Sequence, residues 1–137
     1  MQGRRPKLRV IEGAANPNRC PGPPMWLTLN AKREWRRVAP ELHNRRQLLP
    51  DTQSTLESYC MAVAQVKEFE EAMIAEGRFI TDEAGNKTVH PAHRAQQASM
   101  REARLLAAEL HLTPARRGKG SGVEPEGKAD GWSNLLA

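Results

Sequence analysis

The sequence predicts a mostly α-helical fold: a helical hairpin core with a small β-hairpin between its long helices, a basic N-terminal arm and a disordered C-terminal tail. Three observations carry this reading. Apolar residues recur at helical spacing in three windows. Residues 78 to 89 lose that period and hold two short β-prone runs around a turn. Five of the ten prolines fall within residues 1 to 25, where they oppose a packed helix or central strand. With 137 residues, 39% hydrophobic and 27% charged, the chain is close to the size of one domain. The expected division is an arm over 1–27, a helical domain over 28–114, and a tail over 115–137.

The first helix follows Thr28, whose hydroxyl suits an N-cap. Ala31, Trp35, Val38 and Leu42 then recur at helical spacing, with Lys32, Arg33, Arg36 and Arg37 on the remaining surface. Pro40 removes an amide donor within this pattern, so the spacing predicts a break near Ala39 and a helix in two pieces. A second helix is expected from Pro50 or Asp51 to Glu76, because proline suits a first turn and aspartate the positive end of the dipole. Its stripe is Leu56, Tyr59, Cys60, Val63, Val66, Met73 and Ile74, and Gly77 is the expected stop. Phe79-Ile80-Thr81 and Lys87-Thr88-Val89 flank Asp82-Glu83-Ala84-Gly85-Asn86 as a β-hairpin; so short a hairpin is marginal in water and is expected to pack on something else or to be partly ordered. Pro91 opens a third helix that carries Ala95, Ser99, Ala103, Leu106 and Leu110 on one face and reaches about His111, and Pro114 ends it. From Ala115 onward Gly, Lys, Ser, Glu and Pro dominate, a composition that buries too little surface to order itself.

Without its tails the chain is a small domain with few aromatic residues, of a size close to marginal stability, and oligomerisation is a common remedy. The expected core and oligomer residues are Trp35, Leu56, Tyr59, Val63, Val66, Met73, Leu106 and Leu110. No apolar stretch approaches the roughly 20 residues that a membrane span takes. The first nine residues carry Arg4, Arg5, Lys7 and Arg9 with no apolar run behind them, so they read as a basic arm rather than a targeting leader, and a cytoplasmic protein is expected. Cys20 and Cys60 lie far apart without further ligands beside them and are expected to be reduced thiols.

Charge is polarised along the chain. Residues 1–47 hold eleven Lys and Arg against three Asp and Glu, whereas residues 48–110 hold six against ten. Such asymmetry points to a polyanionic partner, with double-stranded DNA as the candidate. The candidate DNA-binding residues are Arg4, Arg5, Lys7, Arg9, Arg19, Lys32, Arg33, Arg36, Arg37, Arg45 and Arg46. Arginine predominates, and its planar fork suits phosphate oxygens; a solvated helix face with a solubilising tail would give the same charge run. Helix one, its proline break and the start of helix two can be read as a helix-turn-helix-like unit.

Other constellations are poorer. His90 and His93 flank Pro91 without the further ligands a metal needs, so His90 is expected to cap helix three and His93 to lie on the surface; no metal or cofactor is assigned. Glu68, Glu70, Glu71 and Glu76 read as a solubilising helix face. No Gly-rich phosphate loop, nucleophile elbow or HExxH pattern occurs, and no enzyme is predicted. The tail ends in Trp132, Leu135 and Leu136, spaced as i, i+3, i+4 anchors for a partner's groove.

The order of several segments resembles the small terminase subunits of tailed double-stranded DNA phages. The matching run starts at Gly3-Arg4-Arg5-Pro6-Lys7, passes through Glu12-Gly13, Asn16-Pro17, Pro23-Pro24-Met25-Trp26-Leu27, Glu34-Trp35, Ala39-Pro40-Glu41-Leu42 and Leu56-Glu57-Ser58-Tyr59-Cys60, and closes with His90-Pro91-Ala92 and Glu109-Leu110-His111-Leu112-Thr113-Pro114. It covers residues 3 to 116. Two departures stand out: Arg46-Gln47-Leu48-Leu49-Pro50 replaces an LGLLT-like approach to helix two, and His111 replaces a usual glycine. The resemblance implies a helical subunit that assembles into a ring, recognises the packaging start site on viral DNA, and recruits and regulates a large subunit holding the ATPase and nuclease. Trp132, Leu135 and Leu136 are then the expected large-subunit docking residues. The competing readings are a small dimeric helix-turn-helix-like DNA-binding regulator and a metal nuclease built around His90 and His93.

Overall fold

A computed structural model describes residues 18–117. The arm residues Arg4, Arg5, Lys7 and Arg9, and the tail residues Trp132, Leu135 and Leu136, lie outside this range. Three long helices and one β-hairpin follow in the order α1 (Leu29–Asn44), α2 (Gln53–Glu76), β1 (Phe79–Thr81), β2 (Lys87–Val89) and α3 (Pro91–Glu109), and a four-residue α4 (Pro114–Arg117) comes last. Residues 115–117, expected in the tail, thus complete a helical turn, closed by Thr113 O accepting from the amides of Arg116 and Arg117.

Helix α1 begins as its sequence suggests: Thr28 Oγ1 accepts from Ala31 N at 3.3 Å. Ala31, Glu34, Trp35, Val38, Ala39 and Leu42 form its buried face. Trp35 Nε1 also donates to Pro21 O at 3.0 Å, which fastens the incoming segment beside the helix. The expected break at Pro40 does not occur, and α1 runs unbroken through it. Proline deprives only the Arg36 carbonyl of its partner, and Arg36 and Pro40 both lie on the exposed side, where water can solvate that oxygen. Val38, Ala39 and Leu42, buried on the other side, hold the last turn in place.

Helix α1 and helix α3 terminate in the same way. Arg46 N donates to His43 O and Gln47 N to Leu42 O, while His111 N donates to Ala108 O and Leu112 N to Ala107 O. This is the Schellman arrangement, with Arg46 at φ 56° and His111 at φ 53° in the left-handed position that glycine usually fills. The sequence departure at His111 therefore changes the residue and keeps the cap; α3 itself ends at Glu109, slightly before the expected His111.

Helix α2 starts at Gln53 rather than at Pro50 or Asp51. Thr52 Oγ1 donates to Gln47 O at 2.9 Å and accepts from Leu49 N at 3.0 Å, so its hydroxyl braces the connector instead of capping the helix. Leu56, Tyr59, Cys60 and Ala64 pack with Leu27, Ala31, Trp35, Val38, Ala39, Leu42 and Leu110 in one core, against which Leu106 and Val63 lie partly buried. Ala62 is buried on the opposite side, beside Leu106 of α3. A helix gripped on two sides shows little amphipathic contrast, which explains why one stripe did not describe it. Toward its C-terminus Met73 is buried and Val66 half-buried, whereas Ile74, expected in the stripe, is 73% exposed. Gly77 ends the helix at φ 93°.

The hairpin forms where expected, antiparallel with Phe79 opposite Val89, Ile80 opposite Thr88 and Thr81 opposite Lys87. Asp82 Oδ1 accepts from Ala84 N and Asn86 N and shapes the turn. Among the described residues nothing covers the face of the hairpin that carries Phe79 and Val89, and these two side chains stand side by side toward solvent. It returns the chain so that α3 lies along α2 as an antiparallel helical hairpin. Much of this seam is polar: Gln96 Nε2 donates to Val66 O at 3.1 Å and Glu70 Oε2 at 2.9 Å, and Ser99 Oγ donates to Gln65 Oε1 at 3.1 Å.

Candidate nucleic-acid interface

Helix α1 buries one side in the core and turns Arg33, Arg36, Arg37, Pro40, Glu41 and Asn44 outward. The predicted cations on and around it fall into two groups. Arg19, Lys32, Arg33, Arg36 and Arg46 make no ion pair among the described residues; Arg33 Nη1 only approaches Asn30 Oδ1 at 3.5 Å. Arg37 and Arg45 are engaged, by Glu34 and by Glu41 respectively. Arg33 and Arg36, one turn apart on the same face, are the best-presented charges on the helix.

The carboxylate of Glu34 was not singled out by charge patterning, yet it organises the inner side of this face. It is 6% exposed and accepts from Tyr59 Oη at 2.9 Å and from Arg37 Nε at 2.9 Å, with Arg37 Nη2 on its other oxygen. Burial alone would raise the carboxyl, but the hydrogen bonds from Arg37 and Tyr59 outweigh it and hold Glu34 below the usual carboxylate range. The same hydrogen bond pushes the Arg37 guanidinium further up, so the pair stays charged. Burial, helped by the Glu34 charge, pushes the Tyr59 hydroxyl to about 12, and burial likewise pushes the Cys60 thiol to about 12. Cys60 is thus a protonated core residue, and both cysteines are free. Tyr59 approaches Glu34 across twenty-five positions of sequence, a separation at which no local pattern could have shown the pair.

The structure also brings in cations the sequence reading left in the tail. Arg117 of α4 stands beside Arg37 and Arg45 around one cleft, and Arg117 Nη2 is steadied by Leu112 O at 3.2 Å. The link from α1 to α2 comprises residues 45–52, longer than the three- or four-residue turn of a helix-turn-helix.

Among the other candidates, His90 caps α3 as expected: its Nδ1 accepts from Ala92 N at 3.0 Å, and its Nε2 lies 2.9 Å from Glu76. His93 is exposed. No group of three His, Cys, Asp or Glu positioned for a metal ion exists among the described residues. Of the expected solubilising acids, Glu70 is instead drawn into the seam, where the Gln96 hydrogen bond, and then Arg78, hold its carboxyl low. No described helix is long and apolar enough to cross a membrane.

The family model for the small subunit of phage terminase matches residues 31–126, which takes in nearly all of α1 and everything through α4. The chain belongs to this family. It is therefore a protein of phage genome packaging, as the segment-by-segment resemblance implied. No curated protein and no solved structure matches it.

Proposed function

We propose that this small terminase subunit binds double-stranded viral DNA at the packaging start site, recruits the large subunit that holds the ATPase and nuclease, and regulates it without catalysing a reaction itself. The observation that supports DNA binding most is the outward face of α1, where Arg33 and Arg36 are exposed without an acidic partner among the described residues. Lys32, Arg46, Arg19 and the arm residues Arg4, Arg5, Lys7 and Arg9 add to that field. Phosphate contacts of this kind position a protein on DNA and leave sequence choice to other contacts. The work takes place in the host cytoplasm.

In this reading the subunit acts as a ring, so that weak contacts from many copies add up. Two separate apolar patches favour such closure. Met25, Trp26 and Leu29 are exposed near the start of α1, where Trp26 Nε1 donates to Glu57 Oε2 at 3.2 Å. Ile74, Phe79 and Val89 are exposed at the other end of α2. A patch at one end that meets a different patch on the next copy makes a head-to-tail contact, the kind that closes rings. Val63, Val66 and Leu106 are half-buried and extend the surface available to a neighbour. The tail residues Trp132, Leu135 and Leu136 serve as the docking segment for the large subunit.

Charge reversal tests the DNA contact. The double change Arg33→Glu and Arg36→Glu is expected to reduce binding of a viral DNA duplex at least tenfold in a fluorescence anisotropy titration while leaving native mass unchanged. Undiminished binding by a correctly assembled variant would refute the role of this face.

A further inference from the structure

We propose that the cleft between the C-terminal half of α1 and the segment Leu112–Arg117 seats a single backbone phosphate of the DNA, separate from the outward contacts of Arg33 and Arg36. The proposal rests on the DNA reading above and adds a built subsite to it. Arg37, Arg45, Tyr59, Thr113 and Arg117 line the cleft together with one acid, Glu41, around a volume of about 230 Å³. A water occupies roughly 30 Å³ of liquid, so this space accepts a phosphate group with part of its hydration shell.

Three arginines line the cleft, Arg37 and Arg45 from α1 and its C-terminal cap and Arg117 from the remote α4, and their donors are not all used. Arg45 Nη1 is buried and has no hydrogen-bond partner among the described residues, although Nη2 of the same side chain reaches Glu41 at 3.5 Å. A guanidinium only donates, so a group that enters the cleft beside these arginines must be an acceptor, and an oxyanion fits the surrounding charge. Arg37 points one edge at Glu34 and is still 67% exposed, leaving donors free toward the cleft. Arg117 closes the opposite wall with its Nη2 held by the Leu112 carbonyl. Even with Glu34 and Glu41 counted, the three arginines leave the site positive.

Position along α1 favours a phosphodiester over a free ion. Arg33 and Arg45 are twelve residues apart, about 18 Å along the axis at the standard rise. A B-DNA major groove is about 12 Å wide. A helix that holds one phosphate row with Arg33 and Arg36 can therefore reach the next row with this cleft. Charge along the sequence gave no hint of it, because Arg117 adjoins Arg37 only after α3 has folded back along α2.

The salt dependence of duplex binding by the full chain reads the number of phosphates engaged, since each contact adds about 0.9 to the slope of log K against log salt concentration. Arg117→Gln lies in an exposed four-residue turn and leaves the core intact, so it is the primary variant, with Arg45→Gln as the second and Arg94→Gln, at the start of α3, as the control for loss of one positive charge. The expected result is a slope smaller by about 0.9 for Arg117→Gln and for Arg45→Gln, with no such change for Arg94→Gln. A slope unchanged by Arg117→Gln, while Arg33→Glu with Arg36→Glu still weakens binding, would overturn the cleft and leave the outer face standing. Absence of duplex binding by the unaltered chain would remove both. In a parallel arm, inorganic phosphate is added while the Arg45 side-chain NMR signals are followed. A saturable shift there, combined with an unchanged DNA slope, would assign the cleft to free phosphate and overturn the phosphodiester assignment.

Discussion

The two ends of α2 are held by different physics. Around its first half, Trp35, Leu42, Leu56 and Cys60 are almost wholly buried and pack against one another, so the fold there is secured by apolar burial. Around its second half Met73 is buried, but the hydrogen-bonded contacts run through Gln96, Ser99, Glu70 and His90, and large apolar side chains turn outward at Ile74, Phe79 and Val89. One end spends its apolar surface on the chain's own core. The other leaves much of it exposed, which in the proposed ring is the surface offered to a neighbouring copy.

Paired truncations sharpen the contrast most strongly. Trp35→Ala should lower unfolding stability by about 3–5 kcal/mol in urea denaturation, because it removes the largest buried side chain and its bond to Pro21 O. Phe79→Ala, which removes a ring that is 66% exposed, should change the stability of the dissociated chain by less than about 0.5 kcal/mol. Equal costs at the two sites would erase the distinction.

A smaller effect belongs to the buried carboxylate of α1. Glu34→Gln keeps an acceptor for Tyr59 and loses the charged bond to Arg37; with Arg37 largely exposed and screened by water, the expected cost is about 1 kcal/mol at neutral pH. The pH dependence fixes the sign. The folded carboxyl is held below its ordinary value of 4.5, so the unfolded chain takes up the proton first as pH falls. The stabilisation is fully present above about pH 4.5 and disappears as pH drops through the lower folded value. Urea midpoints taken across that window should decline less for Glu34→Gln than for the unaltered chain. The smallest change runs the other way: His111→Gly relieves a left-handed residue at the α3 terminus and should raise stability by up to about 1 kcal/mol in the same assay.

What the sequence revealed was local. Thr28, Gly77, His90 and the turn from Asp82 to Asn86 act over a few residues, and each is found in its expected role. Pro40 misled because its effect depends on which side of α1 it occupies, and here the orphaned carbonyl meets water. Ile74 misled because a helical stripe was extended past the point where α1 covers α2. At the candidate interface, Arg33 and Arg36 were legible from helical spacing, and Glu34 lies within local i, i+3 reach of Arg37, whereas the bond from Tyr59 to Glu34 spans 25 positions and the approach of Arg117 to Arg45 spans the whole helical hairpin. No charge count along the chain contains them.

The most direct test of the division between a folding end and an assembling end is the native mass of the purified chain, without DNA, beside a variant carrying Ile74→Ser and Phe79→Ser. The account predicts a closed assembly well above a dimer for the unaltered chain, and a folded monomer with near-native helical circular dichroism for the variant. An unaltered chain that stays monomeric, or a variant that assembles as before, would contradict it.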